Sequence, residues 1–333
     1  LKTTFAVTMG DPAGIGPEIV VKALAQPGVY EKQNLVVIGN LGKIQWAAKT
    51  LHSSCQIKKI TSVKEAIFEH GVVNLIEVGD PDLSHIEAGK ISAAAGKAAY
   101  EYITTAIQYS LDGDFKGVVT APISKEAINL AGYHYSGHTE IFADQTNVSK
   151  VTMMLASKDF RVTHVSTHCS LREAIERCKT PRIFEVIKIT NDALLRMGFS
   201  KPRIAVTGLN PHCGEGGLFG MEDIEEIKPA IDLAINDGIN VYPDPVPPDT
   251  VFFRMAHKKE FDAVIAQYHD MGHIAAKMVD FFGGVNITLG LPIIRTSVDH
   301  GTAFGKAGEG RANEESLVDA MNVAIQMAKG RFA

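Results

Sequence analysis

The sequence predicts an α/β fold with a largely parallel sheet, because short apolar runs rich in β-branched residues alternate with longer helical stretches. The runs end at Gly, Asn or Pro, as buried strands commonly do. The predicted strands lie at 5–9, 35–38, 73–78, 117–120, 151–155, 161–166, 203–207, 263–266 and 285–289. The predicted helices lie at 16–25, 43–51, 89–111, 181–197, 223–236 and 314–329.

The length of 333 residues predicts two domains or one large α/β unit, at about 100–200 residues per domain. The stretch 130–136 reads as a loop and favours a boundary there. Because the last helix can return to pack on the first half, we expect a discontinuous first domain, 1–132 with 306–333. The second domain then spans 133–305.

The charge balance argues against nucleic acid as a partner. The chain has 33 basic and 38 acidic residues, a net charge of −5, and no basic block longer than a pair. No apolar run approaches the about 20 residues of a membrane span, and the first residues leave no room for a signal peptide. Four scattered cysteines fit reduced thiols. We therefore expect a cytoplasmic protein that binds neither membranes nor nucleic acid.

The first glycine cluster, GDPAGIGPE at 10–18, follows a predicted strand and opens a predicted helix. Its glycines permit close backbone approach, and Pro17 suits a first helical turn. The spacing matches neither the dinucleotide-binding G-x-G-x-x-G nor a P-loop. A structural turn and a ligand loop are equally good interpretations.

Three histidines follow three predicted strands. His168, His212 and His269 each come just after a strand's carboxyl end, the edge at which open α/β sheets bind ligands. Three neutral imidazoles from separate strands can form a metal site with positions left for substrate. Hydrogen-bonded structural histidines are the alternative.

Cationic and polar residues form a further group of candidates. His138 and Thr139 lie at a predicted helix start, and Lys277, Asn286 and Arg295 lie in the segment after His269. A lysine charge with an arginine fork suits a phosphate or carboxylate, although either residue alone can be a solvated surface charge. Asp299, His300 and Gly301 read as loop residues near a nucleotide, because no G-x-S-x-G elbow supports a hydrolase triad.

Six motifs together resemble the 4-hydroxythreonine-4-phosphate dehydrogenase family, in order and across essentially the whole chain. They are GDPAGIGPE at 10–18, GHTE at 137–140, NPHCGEGGLFG at 210–220, PPDTVF at 247–252, YHDMGH at 268–273 and GVNITLGLPIIRTSVDHGTAF at 284–304. Each motif alone is weak, and the set is highly specific.

The resemblance implies an isocitrate/isopropylmalate-dehydrogenase-like α/β/α fold with two subdomains and an active site in the cleft between them. It also implies a homodimer with shared active sites, and a divalent metal held partly from different subunits. The implied metal ligands are His168, His212 and His269. The implied substrate-binding residues are His138, Thr139, Lys277, Asn286 and Arg295.

The implied reaction is NAD- or NADP-dependent oxidation of a phosphorylated 3-hydroxy C4 acid at C3, followed by decarboxylation of the 3-keto acid. We expect zinc first, with manganese, cobalt or magnesium as alternatives, to lower the pKa of the C3 hydroxyl. Lys277 is a candidate proton donor or base. Asp270 is a candidate partner of a ligand histidine. Asp299, His300 and Gly301 are candidate cofactor-binding residues.

The sequence departs from the family pattern at Met271, where Gln is expected, and at Cys169 and Cys213. The segment H-D-x-G-H-I, which contains His273, resembles one of the two branches of the family. That branch oxidises 4-phospho-D-threonate or 4-phospho-D-erythronate, whereas the substrate of the vitamin B6 branch is 4-phosphooxy-L-threonine. A metal hydrolase using the same three histidines and a regulatory protein that binds sugar phosphates are the alternative functions.

Overall fold

The computed structural model describes residues 2–157, 159–280 and 284–330. The chain forms two compact units, 1–148 with 291–328 and 149–290 with 329–333. These bounds differ from the domains expected from the sequence, 1–132 with 306–333 and 133–305. The segment after 132 stays with the first unit because Tyr133 stacks on Tyr100, with 3.8 Å between the ring centroids.

The first unit alternates strands with helices along the chain. Its strands are β1 (Thr4–Thr8), β2 (Asn34–Gly39), β3 (Gln56–Ile60), β4 (Val72–Glu77), β5 (Gly117–Thr120) and β11 (Ile294–Val298). Its helices are α1 (Gly16–Ala25), α2 (Val29–Lys32), α3 (Leu41–Thr50), α4 (Ala93–Leu111), α5 (Lys125–Leu130), α6 (His138–Gln145) and α12 (Glu315–Lys329).

The strands of the first unit pair in parallel in the order β3-β4-β2-β1-β5-β11. Strands β1 and β5 are almost wholly buried, which explains their continuous apolar character. The strand order reverses between them, and the loops that follow both strands meet there. Asp11 donates its backbone N–H to the Pro122 carbonyl at 3.0 Å.

Asp11 is fully buried in the loop after β1, where its Oδ1 accepts a hydrogen bond from the Ala13 amide at 2.8 Å. Burial raises the pKa of Asp11 from 3.8 to about 6, against the opposing effect of the Ala13 and Ser124 amides. The folded protein therefore holds this proton more tightly than the unfolded chain does. The resulting stabilisation is complete below about pH 4 and is lost as the pH rises through about 6.

An Asp11→Asn variant should consequently gain stability relative to the wild type as the pH rises. The expected change between about pH 4 and about pH 8 is on the order of 3 kcal/mol, from a shift of about two pKa units. Denaturant unfolding of both proteins across this range measures the difference. A stability difference that does not vary with pH would contradict the protonation of Asp11.

The second unit has a mixed sheet with the order β10-β6-β7-β9-β8. Its strands are β6 (Thr152–Ser157), β7 (Phe160–His164), β8 (Ile204–Val206), β9 (Ala263–Ala266) and β10 (Val285–Leu289). Its helices are α7 (Leu171–Arg177), α8 (Thr180–Arg196), α9 (Lys228–Asn236), α10 (Pro248–Ala256) and α11 (His269–Val279). Strand β6 is antiparallel to β10 and β7, whereas β7, β9 and β8 are parallel neighbours.

The predicted alternation of strand and helix is confirmed, with strands 117–120, 263–266 and 285–289 at the predicted bounds. The helix predicted at 89–111 begins at Ala93, because Ser92 caps it through the Ala95 amide at 3.2 Å. None of the helices in the described residues combines the length and apolar character that a bilayer-spanning segment needs.

Candidate active site

Arg295 is a buried cation at the centre of the candidate anion site in the first unit. Its side chain is 2% exposed on β11, and its Nη2 donates a hydrogen bond to Thr120 Oγ1 at 3.0 Å. Burial lowers the pKa of Arg295 to about 9, and the charge of Glu140 offsets part of this effect. The guanidinium is still charged at neutral pH. Because its side chain is buried, the alternative interpretation of Arg295 as a solvated surface charge is wrong.

His138 and Thr139 open α6 beside this cation. Burial lowers the pKa of His138 well below its usual range, and the charges of Arg295 and Lys125 lower it further. The imidazole is therefore neutral at physiological pH. Its buried Nε2 has no hydrogen-bond partner among the described residues. In the tautomer that carries the proton on Nε2, this imidazole and the buried guanidinium can both donate hydrogen bonds to one anionic ligand.

The candidate cofactor loop follows β11, where Asp299 donates its amide to Ser316 Oγ at 3.3 Å. His300 and Gly301 are exposed, so a ligand can reach them. The next residue, Thr302, is buried and accepts a hydrogen bond from the Ile15 amide at 3.0 Å. The loop after β11 is thus fastened to the glycine loop after β1.

Glu18 on α1 forms a second set of hydrogen bonds to the segment that follows β11. Its carboxylate is fully buried on α1 and accepts hydrogen bonds from the amides of Gly308 at 2.5 Å and Gly310 at 2.8 Å. Gly14 also packs tightly against this loop, because a Cβ there would lie only 3.0 Å from the Thr302 carbonyl oxygen. The glycine cluster at 10–18 therefore supports the candidate cofactor loop.

In the second unit, the predicted histidines follow the neighbouring parallel strands β7, β9 and β8. His168 and His269 approach each other, with 5.8 Å between their ring centroids. His269 Nδ1 is 2.7 Å from Asp270 Oδ1, so Nδ1–H can donate to the carboxylate. This contact orients the ring and leaves Nε2 as the nitrogen that can face a metal.

Two further histidines extend this group. The His273 ring stacks on His269 with 3.6 Å between centroids and 12° between planes, and His273 Nδ1 is 3.0 Å from the His269 carbonyl oxygen. His164 is buried behind them, 4.8 Å from the His273 centroid. Burial lowers the pKa of His164 to about 3, with a smaller effect from the neighbouring histidines. His164 is therefore uncharged at neutral pH.

His212 lies in a strained turn. Residues 212–216 all have left-handed backbone conformations, with φ between 45° and 80°. Such geometry costs roughly 1–2 kcal/mol for each residue other than glycine, so other contacts must hold it. The buried Asp223 carboxylate accepts hydrogen bonds from the amides of Leu209 at 2.9 Å and Asn210 at 3.2 Å, which anchors the start of the turn.

A cavity of about 530 Å³ opens between this turn and α11. His212 and Asp270 both line it, together with Asp249, Phe252 and Ile274. The carboxylate that orients His269 thus shares a cavity wall with His212. The size and the mixed polar and apolar lining suit a small ligand or the side chains of another chain.

The remaining candidates of the second unit are Lys277 and Asn286. Lys277 is partly buried in the last turn of α11. Asn286 lies on β10 opposite Leu155, and its Nδ2 is 2.8 Å from Met153 Sδ. The structure thus divides the predicted substrate-binding residues between the two units, with His138, Thr139 and Arg295 in the first.

The three residues that depart from the family pattern each contact a nearby residue of the chain. Met271 Sδ accepts a hydrogen bond from Thr207 Oγ1 at 3.0 Å. Cys213 Sγ is 3.3 Å from the Pro245 carbonyl oxygen, and burial raises the pKa of this thiol to about 11. The Cys169 amide donates to the Thr167 carbonyl at 2.8 Å. Met271 and Cys213 thus both make contacts within the second unit, and Met271 also lines the cavity beside His212.

The chemistry of the histidine donors fits a divalent metal in part. Two imidazoles on one ion, with metal–nitrogen distances of about 2.0–2.1 Å, have ring centroids roughly 5–6 Å apart, a separation that His168 and His269 match. Within the described residues of one chain, no group of three or more His, Cys, Asp or Glu side chains is arranged to hold a metal. A complete set needs ligands beyond the His168–His269 pair.

Sequence reasoning missed several residues that shape the site. Thr120 ends β5 and contacts Arg295, and a polar residue at a strand's carboxyl end is a signal that could have identified it. Glu18 was part of a quoted motif, but its glycine amide partners lie 290 and 292 residues away. No local pattern shows such a contact.

Comparisons with known proteins identify relatives across almost the whole chain. A family model described as "Pyridoxal phosphate biosynthetic protein PdxA" matches residues 31–324. D-threonate 4-phosphate dehydrogenase of Salmonella typhimurium is 46% identical over 326 residues, 98% of this chain and 99% of that protein. The 4-hydroxythreonine-4-phosphate dehydrogenase of Beijerinckia indica is 47% identical over 325 residues, 97% of this chain and 94% of that protein.

The crystal structure of 4-hydroxythreonine-4-phosphate dehydrogenase from Klebsiella pneumoniae has a TM-score of 0.88 and 41% identity, covering 98% of this chain and 100% of that chain. The predicted family resemblance and the isocitrate/isopropylmalate-dehydrogenase-like α/β/α fold class are confirmed. The similar proteins named here are dehydrogenases, which supports the same class of activity for this protein. The chain belongs to the PdxA family.

Proposed function

We propose that this protein is an NAD- or NADP-dependent dehydrogenase that oxidises the C3 hydroxyl of a phosphorylated C4 hydroxy acid. The observation that carries the proposal is the buried Arg295 guanidinium beside the neutral, buried Nε2 of His138. This pair makes an anion site in a chain that is net acidic overall. The dehydrogenase names of its relatives supply the reaction class.

The binding roles follow from the chemistry of each side chain. Arg295, His138 and Thr139 bind the anionic phosphate end, where charge-assisted hydrogen bonds contribute most. Lys277 and Asn286 bind the remaining polar groups of the acid. Together these contacts hold C3 in position for reaction with the nicotinamide. Asp299, His300 and Gly301 hold the dinucleotide, on a loop that Glu18 and Ile15 keep in place.

His168, His212 and His269 would hold a divalent metal, with one ligand set drawn from two copies of the chain. Zinc is the first choice for a histidine set, and manganese, cobalt and magnesium are alternatives. When bound, the ion supplies Lewis-acid chemistry that favours an ionised hydroxyl. Asp270 orients the His269 ring through their 2.7 Å contact.

The electron balance of the reaction is simple. The C3–H bond breaks, its hydride passes to the nicotinamide ring, and the hydroxyl proton passes to the uncharged amine form of Lys277. The product is a 3-keto acid, in which the bond from C2 to the carboxyl group then breaks to release CO₂. The electron pair of that bond forms an enolate at C2 and C3, and Lys277 returns the proton to C2.

Two substrate classes share this chemistry and differ at C2. A hydroxyl gives 4-phospho-D-threonate or 4-phospho-D-erythronate, and an amino group gives 4-phosphooxy-L-threonine. His273, which resembles the first branch in sequence, stacks directly on His269. We therefore place the 2-hydroxy acids first. The dehydrogenase relatives disfavour the hydrolase and regulatory alternatives.

A panel of substrates, nucleotides and metals tests the proposed function. Each of the three phosphorylated acids is combined with NAD or NADP and with zinc, manganese, cobalt or magnesium, and absorbance of the reduced nucleotide is followed. We expect reduction with at least one 2-hydroxy acid. Failure of every combination, in an assay that a related dehydrogenase passes, would overturn the proposed function.

Exposed apolar side chains support the proposal of a homodimer with shared sites. Leu218 follows His212 by six residues and is 73% exposed, and Met278, next to Lys277 on α11, is 82% exposed. A dimer interface that covers both side chains would remove this apolar surface from water. Sedimentation should show a dimer at assay concentrations, and a Met278→Glu variant should dissociate and lose activity together. A fully active monomer would contradict the shared site.

A further inference from the structure

The anion site in the first unit contains a second cation, Lys125, that the sequence analysis did not assign. Lys125 begins α5, whose first turn is capped by Ser124 Oγ through the Ala127 amide at 3.1 Å. Asn129 Nδ2 donates to the carbonyls of Lys125 at 2.8 Å and Tyr135 at 3.0 Å. This double contact ties the start of α5 to the segment that leads into His138.

Lys125 is exposed, and its side chain passes close to Gly137, the residue before His138. A Cβ placed on Gly137 would lie 3.6 Å from Lys125 Cε, within ordinary van der Waals distance. The same position would lie 3.5 Å from Glu140 Oε2 on the following turn. Gly137 therefore leaves space that both charged side chains border, and Lys125 reaches the entrance of α6 rather than extending away from it.

The charges of this cluster give Lys125 a specific role. Arg295 and Glu140 carry opposite charges and interact electrostatically, and His138 is neutral. Lys125 therefore makes the cluster net cationic. Among the described residues, no carboxylate lies within 4 Å of its ammonium group. Lys125 and Arg295 both act electrostatically on the His138 imidazole, so both would attract an anion bound at this imidazole.

We propose that Lys125 is a phosphate-binding residue that acts with Arg295 on the substrate's phosphate. Its compact ammonium supplies a point charge, whereas Arg295 supplies a planar fork, and the two together suit a tetrahedral dianion. Glu140 keeps the buried guanidinium balanced in the empty site. This inference rests on the proposed function, because it assigns the phosphate of that substrate to the cluster.

The test compares Lys125→Met and Lys125→Arg with Lys49→Met, which removes an exposed lysine from the last turn of α3. Calorimetry measures binding of 4-phospho-D-threonate and of unphosphorylated D-threonate, and steady-state kinetics measure KM and kcat. We expect Lys125→Met to weaken binding of the phosphorylated acid about 10-fold to 100-fold, as for one lost charge-assisted contact. KM should rise with little change in kcat, and Lys125→Arg should retain most of the affinity.

The matched results separate the two proposals. Binding of the phosphorylated acid without nucleotide reduction would end the dehydrogenase proposal, while the calorimetric comparison of the variants would still decide the role of Lys125. If Lys125→Met binds the phosphorylated acid within two-fold of the Lys49→Met control, the assignment is wrong. It is also wrong if both acids lose affinity equally, since Lys125 would then only position the His138 segment.

Discussion

Replacing Arg295 by Ala should lower kcat/KM for the phosphorylated acid by about 10-fold to 100-fold. A buried charge-assisted hydrogen bond contributes about 1.5–3 kcal/mol, and each 1.4 kcal/mol is a factor of about ten. Arg295→Lys should recover part of the loss, because lysine keeps the charge but not the planar fork that contacts Thr120. Steady-state kinetics of both variants measure these effects.

The unphosphorylated acid is the control for this prediction. It should be a poor substrate for the wild type and much less sensitive to Arg295→Ala. Because Arg295 is 2% exposed, thermal unfolding of each variant must accompany the kinetics to separate loss of fold from loss of binding. If Arg295→Ala affects both acids equally, Arg295 binds the carboxylate or supports the fold, and the phosphate assignment fails.

Replacing His212 or His269 by Ala should abolish turnover while the fold stays largely intact. His212 is exposed and His269 is half-buried, so the removal of either ring leaves no large cavity in the core of the second unit. A metal contributes several kcal/mol to the stabilisation of developing charge, which corresponds to a rate loss of at least about 10³-fold. Activity assays after metal titration, with metal content measured by mass spectrometry, quantify the effect.

His257→Ala is the matched control, since His257 is exposed at the end of α10 and outside the histidine cluster. It should behave as the wild type in metal content and in turnover. Full activity of His212→Ala, or of protein stripped of metal, would remove these histidines from the metal site.

The sequence predicted the elements whose signal is local. Strand 263–266 is an uninterrupted apolar run, and helix α1 begins at a Gly-Pro pair, so both have the predicted bounds. Strand β3 was missed because its residues Gln56–Ile60 include two lysines and only its last residue is buried. Helix α11 was missed because its functional residues interrupt the apolar pattern, and it exposes Ile274 and Met278.

The sequence predicted those residues of the candidate site whose side-chain chemistry alone suggests a role. It did not predict their burial or their contacts. Arg295 could be proposed as an anion ligand, but its burial depends on β11 pairing with β5, which no short motif reveals. The stack of His273 on His269 follows from helical spacing within α11, a helix that the sequence analysis did not predict. Lys125 lies 13 residues before His138 and becomes its neighbour only through the turn that Asn129 braces.

The most direct test of the central claim uses 4-phospho-D-threonate deuterated at C3. The protein is incubated with this acid, the oxidised nucleotide and the preferred metal, and the reduced nucleotide is analysed by mass spectrometry. The account predicts one deuterium in each reduced nucleotide, with release of one CO₂ for each turnover. Reduced nucleotide without deuterium, or release of phosphate with no nucleotide reduction, would contradict hydride transfer from C3.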